Sequence, residues 1–261
     1  MFNLITPIIL TLNEAPNIGR TLSKLSWARD IVVVDSFSQD ETPNILAHFP
    51  QLRVFQRTFD NHADQWNFAL TETGIATDWV LALDADYILS DDLIDELGGL
   101  APSESTAGYE ASFTYCIHGK TLRGGAAYPP VTVLYRRSAA AYRQDGHTQR
   151  IAIWGTVEKL RAPIYHDDRK PLSHWVQAQI RYMRLEAEKL SISDRDKLGW
   201  ADRLRLLRVV APFVMLFYCL FVKGAIIDGK AGVYYAFQRM FAELLLSLFL
   251  IENDLGLGKD S

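Results

Sequence analysis

The sequence predicts an α/β domain with a mixed, mostly parallel central sheet, followed by an apolar helical region at the C-terminal end. From Ile5 to Asp86, short apolar runs alternate with amphipathic, helix-like stretches. From Tyr109 the texture changes to strand-like segments separated by turns, and after Pro171 it becomes helical. A β-α-β-α rhythm argues for parallel strands covered by helices, because each crossover needs a helix to return the chain.

Ile5 to Leu12 is an apolar run suited to a strand buried on both faces. Asn13 or Glu14 is placed to open a helix with Pro16 in its first turn, and Ile18, Leu22 and Leu25 give that helix one apolar face. Ile31 to Val34 is β-branched and reads as the second strand. Asp40, as N-cap, and Pro43 start the next helix. Leu52 to Phe55 is a third strand, Ala63 to Thr73 a helix, and Trp79 to Leu83 a fourth strand. Ala111 to Ile117, Thr121 to Tyr128 and Val131 to Arg136 are expected as antiparallel strands, with turns at His118-Gly119-Lys120 and Pro129-Pro130. Ile151 to Trp154 and Leu160 to Tyr165 are expected as a further pair, and Trp175 to Leu190 as a helix. The expected division is one domain over residues 1–170 and a helical region over residues 171–261.

A chain of 261 residues with 49% hydrophobic content can bury one substantial core, with or without a helical appendage. The formal net charge of −4 gives no basic excess, so no nucleic-acid partner is expected. Cys116 and Cys219 form no CxxC pair, which argues against a zinc or disulfide framework and for a reducing compartment. Met1 to Leu12 lacks a basic leader and a small-residue cleavage site, and reads as a buried strand rather than a signal peptide.

The strongest chemical signal is Asp84-Ala85-Asp86, directly after the apolar strand. The carboxyl ends of buried parallel strands are where α/β proteins bind ligands. Two carboxylates there are costly to bury unpaired. A divalent cation offsets that cost and can bridge diphosphate oxygens. Alternate residues of an extended chain point to opposite sides, so one aspartate can hold a metal while the other holds a ribose. A second cluster, His166-Asp167-Asp168-Arg169-Lys170, follows another apolar strand. Its Arg169 and Lys170 are candidates to hold a diphosphate.

Several segments in order resemble glycosyltransferase family 2, in particular its bacterial lipopolysaccharide-core branch. They are Ile8 to Glu14, Trp27 to Ser36, Ser38 to Thr42, Gln65 to Leu70 and Asp78 to Asp86. The resemblance covers residues 4 to 170 and the tail only loosely. It implies a GT-A nucleotide-sugar-binding fold, with residues 1–170 as the catalytic domain. It implies inverting transfer of a sugar from an NDP-sugar, UDP-linked in the first instance, to a lipid-linked glycan or lipopolysaccharide-core acceptor. By position, Thr11, Asn13 and Glu14 are expected beside the nucleoside and Asp35 against the base. Gln65 and Asn67 are expected near the nucleotide or on the helix that supports it. Asp84 is expected near the ribose, and Asp86 with His166 on Mn²⁺ or Mg²⁺.

Two departures stand out. Related enzymes often carry an acidic residue after the carboxylate pair, where Tyr87 stands here. They often carry His-Glu where this chain has Asp145-Gly146-His147-Thr148-Gln149. An inverting transferase needs a carboxylate to take the acceptor proton. Asp145, with His147 beside it, is the candidate, against a plain tight turn at Asp145-Gly146. The missing His-Glu pair also leaves open a non-catalytic membrane partner that binds a nucleotide sugar. A sugar-phosphate nucleotidyltransferase would carry a glycine- and arginine-rich loop where Asn13-Glu14-Ala15-Pro16 stands.

Val209 to Val222 carries no charge but is interrupted by Pro212; Ala231 to Ile251 is broken by Arg239 and Glu243. Neither matches the ~20 apolar residues of a spanning helix. One reading is an interfacial hairpin on the inner face of the cytoplasmic membrane, peripheral or monotopic. Trp200, Tyr218, Tyr234 and Tyr235 would then lie at headgroup depth, and Arg203, Arg205, Arg208, Lys223 and Lys230 would face anionic lipid. The other reading is a helical subdomain or a subunit contact.

Overall fold

The computed structural model describes residues 1–123, 129–145, 148–194 and 198–257. The chain divides into two compact units, Met1–Gly119 with Tyr128–Lys170, and Lys120–Ala127 with Pro171–Ser261.

The first unit begins with β1 (Ile5–Thr11), α1 (Ile18–Ser23), β2 (Ile31–Asp35), α2 (Thr42–Leu46), β3 (Leu52–Gln56), α3 (His62–Thr71) and β4 (Trp79–Asp84). It continues with β5 (Tyr87–Leu89), α4 (Asp91–Gly99), β6 (Thr106–Ala111) and β7 (Phe113–Ile117). After β8 (Lys120–Thr121), which falls in the second unit, come β9 (Val131–Arg136), β10 (Ala140–Asp145), β11 (Thr148–Ile153), β12 (Thr156–Lys159) and β13 (Ile164–His166). The main sheet has the order β12-β6-β9-β4-β1-β2-β3. β4, β1, β2 and β3 run parallel; β9 is antiparallel to both β4 and β6, and β12 runs parallel to β6.

The apolar runs explain why these strands are central. Side chains alternate between faces, so a strand covered on both faces must be apolar throughout. Ile9, Val33, Leu81 and Leu83 join a core with Ile18, Leu22 and Leu25 from α1 and the turn after it. Ile8, Val32, Val34 and Val80 join a second core with Trp66, Ala69 and Leu70 of α3. Each such aliphatic side chain contributes roughly 1.5–3 kcal/mol on burial. Register then sets the site: Thr11 pairs with Asp35 and Leu10 with Asp84, so the carboxyl ends of β2, β1 and β4 lie side by side.

Several expectations shift. α1 begins at Ile18 rather than near Asn13, because Asn13 adopts a left-handed conformation (φ 55°) and Glu14–Asn17 form a turn first. The run from Ala111 to Ile117 is divided at Ser112 between β6 in the main sheet and β7 in a smaller one. There β13 lies between β5, antiparallel, and β7, parallel. The expected pairing of Ile151–Trp154 with Leu160–Tyr165 does not form, because β11 pairs antiparallel with β10 instead. β10 reads weakly as a strand, yet Tyr142 anchors it in the α3 core, stacking on Trp66 at 5.5 Å. Most of the expected strand Thr121–Tyr128 lies outside the described residues. α4 was not expected; Ser90 caps it by accepting from the Leu93 amide at 3.1 Å, and Leu93 and Leu97 bury one face.

The second unit holds α5 (Leu172–Ile192), α6 (Trp200–Arg205) and α7 (Val210–Phe217), which continues through a π-helical turn over Tyr218–Val222. A 3₁₀ turn (Ala225–Asp228) leads into α8 (Lys230–Leu255). Ala187, Leu190, Leu246 and Leu250 form its core between α5 and α8. A Cβ on Gly232 would collide with the Ala225 carbonyl, so glycine permits this close approach of α8 to the 3₁₀ turn. α8 is one continuous helix of 26 residues despite Arg239 and Glu243, and by length and composition is apolar enough to cross a membrane. Glu243 is buried, and its carboxylate pairs with Arg205 at 2.8 Å. The basic residues assigned to a lipid face need correction. Arg205 faces inward to Glu243 and Asp202, and Arg208 pairs with Asp254 at 2.8 Å. Tyr235 is buried.

Candidate active site

β4 delivers Asp84 as its last residue, and Asp86 begins the step into β5. β5 and β13 pair so that His166 lies opposite Tyr87. That register brings His166 Nε2 to 3.1 Å from Asp86 Oδ2, and the Asp167 amide donates to the Asp86 carbonyl at 3.1 Å. Residues separated by the whole antiparallel region therefore meet at one strand end. Tyr87 and Tyr115 approach the His166 ring edge-on, with centroids 5.2 and 4.7 Å away.

The electrostatics follow from burial and crowding. Burial, then the charge of Asp86, pushes the Asp84 carboxyl up to about 6, against a hydrogen bond from the Tyr87 side chain. Asp86 would also rise by burial, but His166 and Lys170 outweigh this and hold it below the usual carboxylate range. Burial alone would lower His166; Asp86, Asp84 and Asp168 raise it instead. Two carboxylates are thus drawn toward opposite protonation preferences at one spot.

Lys170 is the cation beside them. Its Nζ donates to Glu14 Oε1 at 2.5 Å, and burial is outweighed by Glu14, Asp168 and Asp86, which push its pKa up. The Arg169 guanidinium bonds Asp167 through Nε and Nη2, both at 2.8 Å. Arg20 bonds the same buried carboxylate at 2.8 Å, and so does the Gly119 amide. Arg169 is thus paired within the loop, and Lys170 carries the charge that acts on Asp84 and Asp86.

Asp35 is 1% exposed and accepts from Thr11 Oγ1 (2.9 Å), Ser38 Oγ (2.5 Å) and the Ser38 amide (3.0 Å). Asn13 links the first two strand-end loops: its amide donates to Ser38 Oγ and its Oδ1 accepts from the Gln39 amide, both at 2.8 Å. Gln65 is also 1% exposed; its Nε2 donates to Ser36 Oγ at 3.0 Å and its Oε1 accepts from Arg57 at 2.5 Å. Asn67 donates to the Tyr142 carbonyl and accepts from the Tyr142 amide, both at 3.0 Å, and so fastens β10 to α3. In this structure the side-chain amides of Gln65 and Asn67 are both engaged by the chain itself. Asp145 ends β10 and forms an ion pair with Arg150 across the hairpin. His147 lies outside the described residues.

One residue that the sequence reading passed over is Asn17. Fully buried, it donates to Glu14 Oε2 (2.8 Å) and Asp168 Oδ1 (2.9 Å). It accepts from Arg20 (2.7 Å) and the Arg169 amide (2.9 Å). It joins the β1 loop to the loop after β13. The sequence signal was an asparagine just before an apolar helix face, legible only as a cap.

Among the described residues no group of three or more His, Cys, Asp or Glu side chains is placed to hold a metal ion. Asp86 and His166 offer a carboxylate and an imidazole together. That donor set suits a divalent cation that takes its other ligands from diphosphate oxygens and water, as Mg²⁺ often does. A separate hollow of about 650 Å³, lined by Asp92, Asp95, Glu96 and Arg161, contains none of these residues.

Carboxylates stand at the ends of β2 and β4, on either side of β1 in a mostly parallel sheet, and comparison with known proteins gives the class of the chain as a glycosyltransferase. The chain belongs to glycosyl transferase family 2, whose sequence profile matches residues 6–140. An uncharacterized glycosyltransferase of Rickettsia conorii is 33% identical over 266 residues, covering 96% of this chain and 91% of that protein. One from Rickettsia bellii is 35% identical over 108 residues, 41% of this chain; the match spans only 36% of that relative's length. Among solved structures, S. aureus TarS 1-349 in complex with UDP-GlcNAc matches 97% of this chain and 92% of its own, at 14% identity and a TM-score of 0.44. Glucosyl-3-phosphoglycerate synthase from Mycobacterium tuberculosis, with Mn²⁺, UDP and phosphoglyceric acid, matches 73% of this chain and 80% of its own, at 14% identity and a TM-score of 0.48.

Proposed function

We propose that the chain transfers a sugar, with inversion, from an NDP-sugar, UDP-linked in the first instance, to a lipid-linked glycan or lipopolysaccharide-core acceptor. The observation that carries the donor site is the convergence of Asp86, His166 and Lys170 at the carboxyl end of β4. Asp86 and His166 would hold Mn²⁺ or Mg²⁺, which neutralises charge on a departing diphosphate. Lys170 adds a fixed positive charge on the same side. Asp84 is assigned to the ribose hydroxyls, one strand from Thr11 and two from Asp35. Asp145 is the candidate base. It takes the acceptor hydroxyl proton as that oxygen bonds to the anomeric carbon and the bond to the diphosphate breaks.

The acceptor reading draws on the second unit. Phe213, Phe217 and Phe221 are 67%, 60% and 57% exposed at helical spacing along α7 and its π turn. Close to that stripe Lys230 is exposed and Lys223 half-buried, while Asp228 is buried. An exposed aromatic stripe with cations at its rim suits the anionic inner leaflet of a cytoplasmic membrane, with the unit lying on it rather than through it. Glu243, buried against Arg205, favours that orientation for α8.

The test is a donor screen with purified protein, Mn²⁺ and lipid-linked acceptors. Nucleoside diphosphate release that requires acceptor, and that Asp86→Ala and Lys170→Ala both abolish, is the expected result. Release from no donor by folded protein would leave a nucleotide-sugar-binding partner as the better description.

A further inference from the structure

Phe37 is held in a conformation that a phenylalanine does not choose. Its φ is 61°, in the left-handed region where a bulky side chain is strained and glycine is at ease. Its side chain is 46% exposed, so the ring gains little from packing in the folded chain. The strain is imposed from both sides. Ser36 Oγ accepts from Gln65, and Ser38 donates to Asp35 through both its amide and its hydroxyl. Ser38 and Gln39 are further fastened to Asn13 on the neighbouring loop. Backbone strain that persists only because its surroundings over-determine it is a feature of ligand sites.

The ring stands at the end of β2, two residues after Asp35. Leu12, just past the end of the adjacent strand β1, is likewise exposed, at 44%. β2 is two strands from β4, which carries Asp84. Two strand spacings amount to about 10 Å. A nucleoside diphosphate whose phosphates lie at Asp86 and Lys170 extends over that distance and brings its base to Leu12 and Phe37. We propose that Phe37 is a donor-binding residue whose ring, presented by the strained Ser36–Ser38 turn at the end of β2 next to β1, stacks on the nucleobase of the donor. The assignment rests on the donor-site reading above. It adds an apolar contact that no hydrogen-bonding residue of the site supplies, since base–aromatic stacking is sequence-tolerant and strong enough to matter in binding.

Glycine at this position separates the two consequences, because it relieves strain while removing the ring. Wild type, Phe37→Gly and Phe37→Tyr are compared by thermal unfolding. Calorimetry with Mn²⁺ follows, using UDP and inorganic pyrophosphate as the base-free control. Phe37→Gly is expected to melt higher than wild type, to bind UDP at least tenfold more weakly, and to bind pyrophosphate unchanged. Phe37→Tyr is expected to keep UDP affinity. Equal UDP affinity in Phe37→Gly and wild type overturns the stacking role and leaves the donor site intact. Parallel loss of UDP and pyrophosphate binding also overturns it, because the turn would then matter to the phosphate site rather than to the base. Wild type that binds pyrophosphate but gains nothing from uridine, guanosine, cytidine or adenosine diphosphate overturns it too. Wild type that binds none of these ligands removes the donor-site reading itself.

Discussion

His166 Nε2 lies 3.1 Å from Asp86 Oδ2 although the two residues are 80 positions apart in the chain. The contact exists because β13 inserts between β5 and β7 and carries His166 to the residue next to Asp86. If this pair holds a divalent cation, His166→Ala weakens Mn²⁺ affinity by 10- to 100-fold (an order-of-magnitude expectation for disturbing a metal shell). Mn²⁺ titration monitored by thermal shift checks it. Unchanged affinity would place the metal elsewhere.

Asp84→Asn should stabilise the metal-free protein while abolishing transfer. The folded-state pKa of Asp84 is raised from 3.8 to about 6, so the folded chain holds that proton more tightly than the unfolded chain. The associated stability is present at low pH and is lost as pH rises through about 6. At pH 8 the ionised carboxylate therefore opposes folding, by about 1–2 kcal/mol after allowance for solvent screening. Urea unfolding of wild type and Asp84→Asn should differ by that much at pH 8, the variant being more stable, and converge near pH 4. A variant less stable at pH 8 would show that the carboxylate has a stabilising partner in the metal-free state.

A proton on Asp84 removes a negative charge beside the Asp86–His166 pair and so opposes a cation there. Mn²⁺ binding is expected to weaken as pH falls through about 6, where Asp84 takes up a proton. The Mn²⁺-induced rise in melting temperature should be clear at pH 8 and much reduced at pH 5. An equal rise at both values would exclude Asp84 from the metal environment.

Asn17→Ala removes a fully buried side chain with bonds to Glu14, Arg20, Asp168 and the Arg169 amide. Stranding these groups should cost on the order of 2–4 kcal/mol. Asn67→Ala should cost about 1–3 kcal/mol by freeing the Tyr142 backbone, with nucleotide affinity unchanged. Urea unfolding and UDP calorimetry together check both. Loss of UDP affinity in stable Asn67→Ala protein would restore the nucleotide contact that the resemblance implied.

If the Phe213–Phe217–Phe221 stripe meets lipid, wild type should float with vesicles containing anionic phospholipid and less with neutral ones. Replacing Phe217 and Phe221 with aspartate should abolish flotation without changing nucleotide binding. Flotation that persists would turn attention to a subunit contact, readable from the oligomeric state.

The parallel half of the sheet was legible because Ile5–Leu12, Ile31–Val34 and Trp79–Leu83 are apolar on both faces, and only buried strands need that. The antiparallel half was not, since Ala140–Asp145 carries little apolar signal and owes its place to Tyr142 docking on Trp66. Asp84, Asp86 and His166 stood out as chemistry at strand ends. Arg169, Gln65 and Asn67 read in sequence only as polar side chains near the site, and their partners within the chain appear only in the structure. The inward turn of Arg205 and the surface pairing of Arg208 were hidden for the same reason: sequence gives a charge, not the carboxylate that answers it. Phe37 passed unnoticed because strain belongs to the backbone and leaves no trace in composition.

The most direct test of the donor site is calorimetry of UDP binding with and without Mn²⁺, on wild type and Asp86→Ala. The predicted result is Mn²⁺-dependent binding by wild type that the substitution abolishes. Binding of equal strength without metal, or in Asp86→Ala, would contradict the site built on Asp86 and His166.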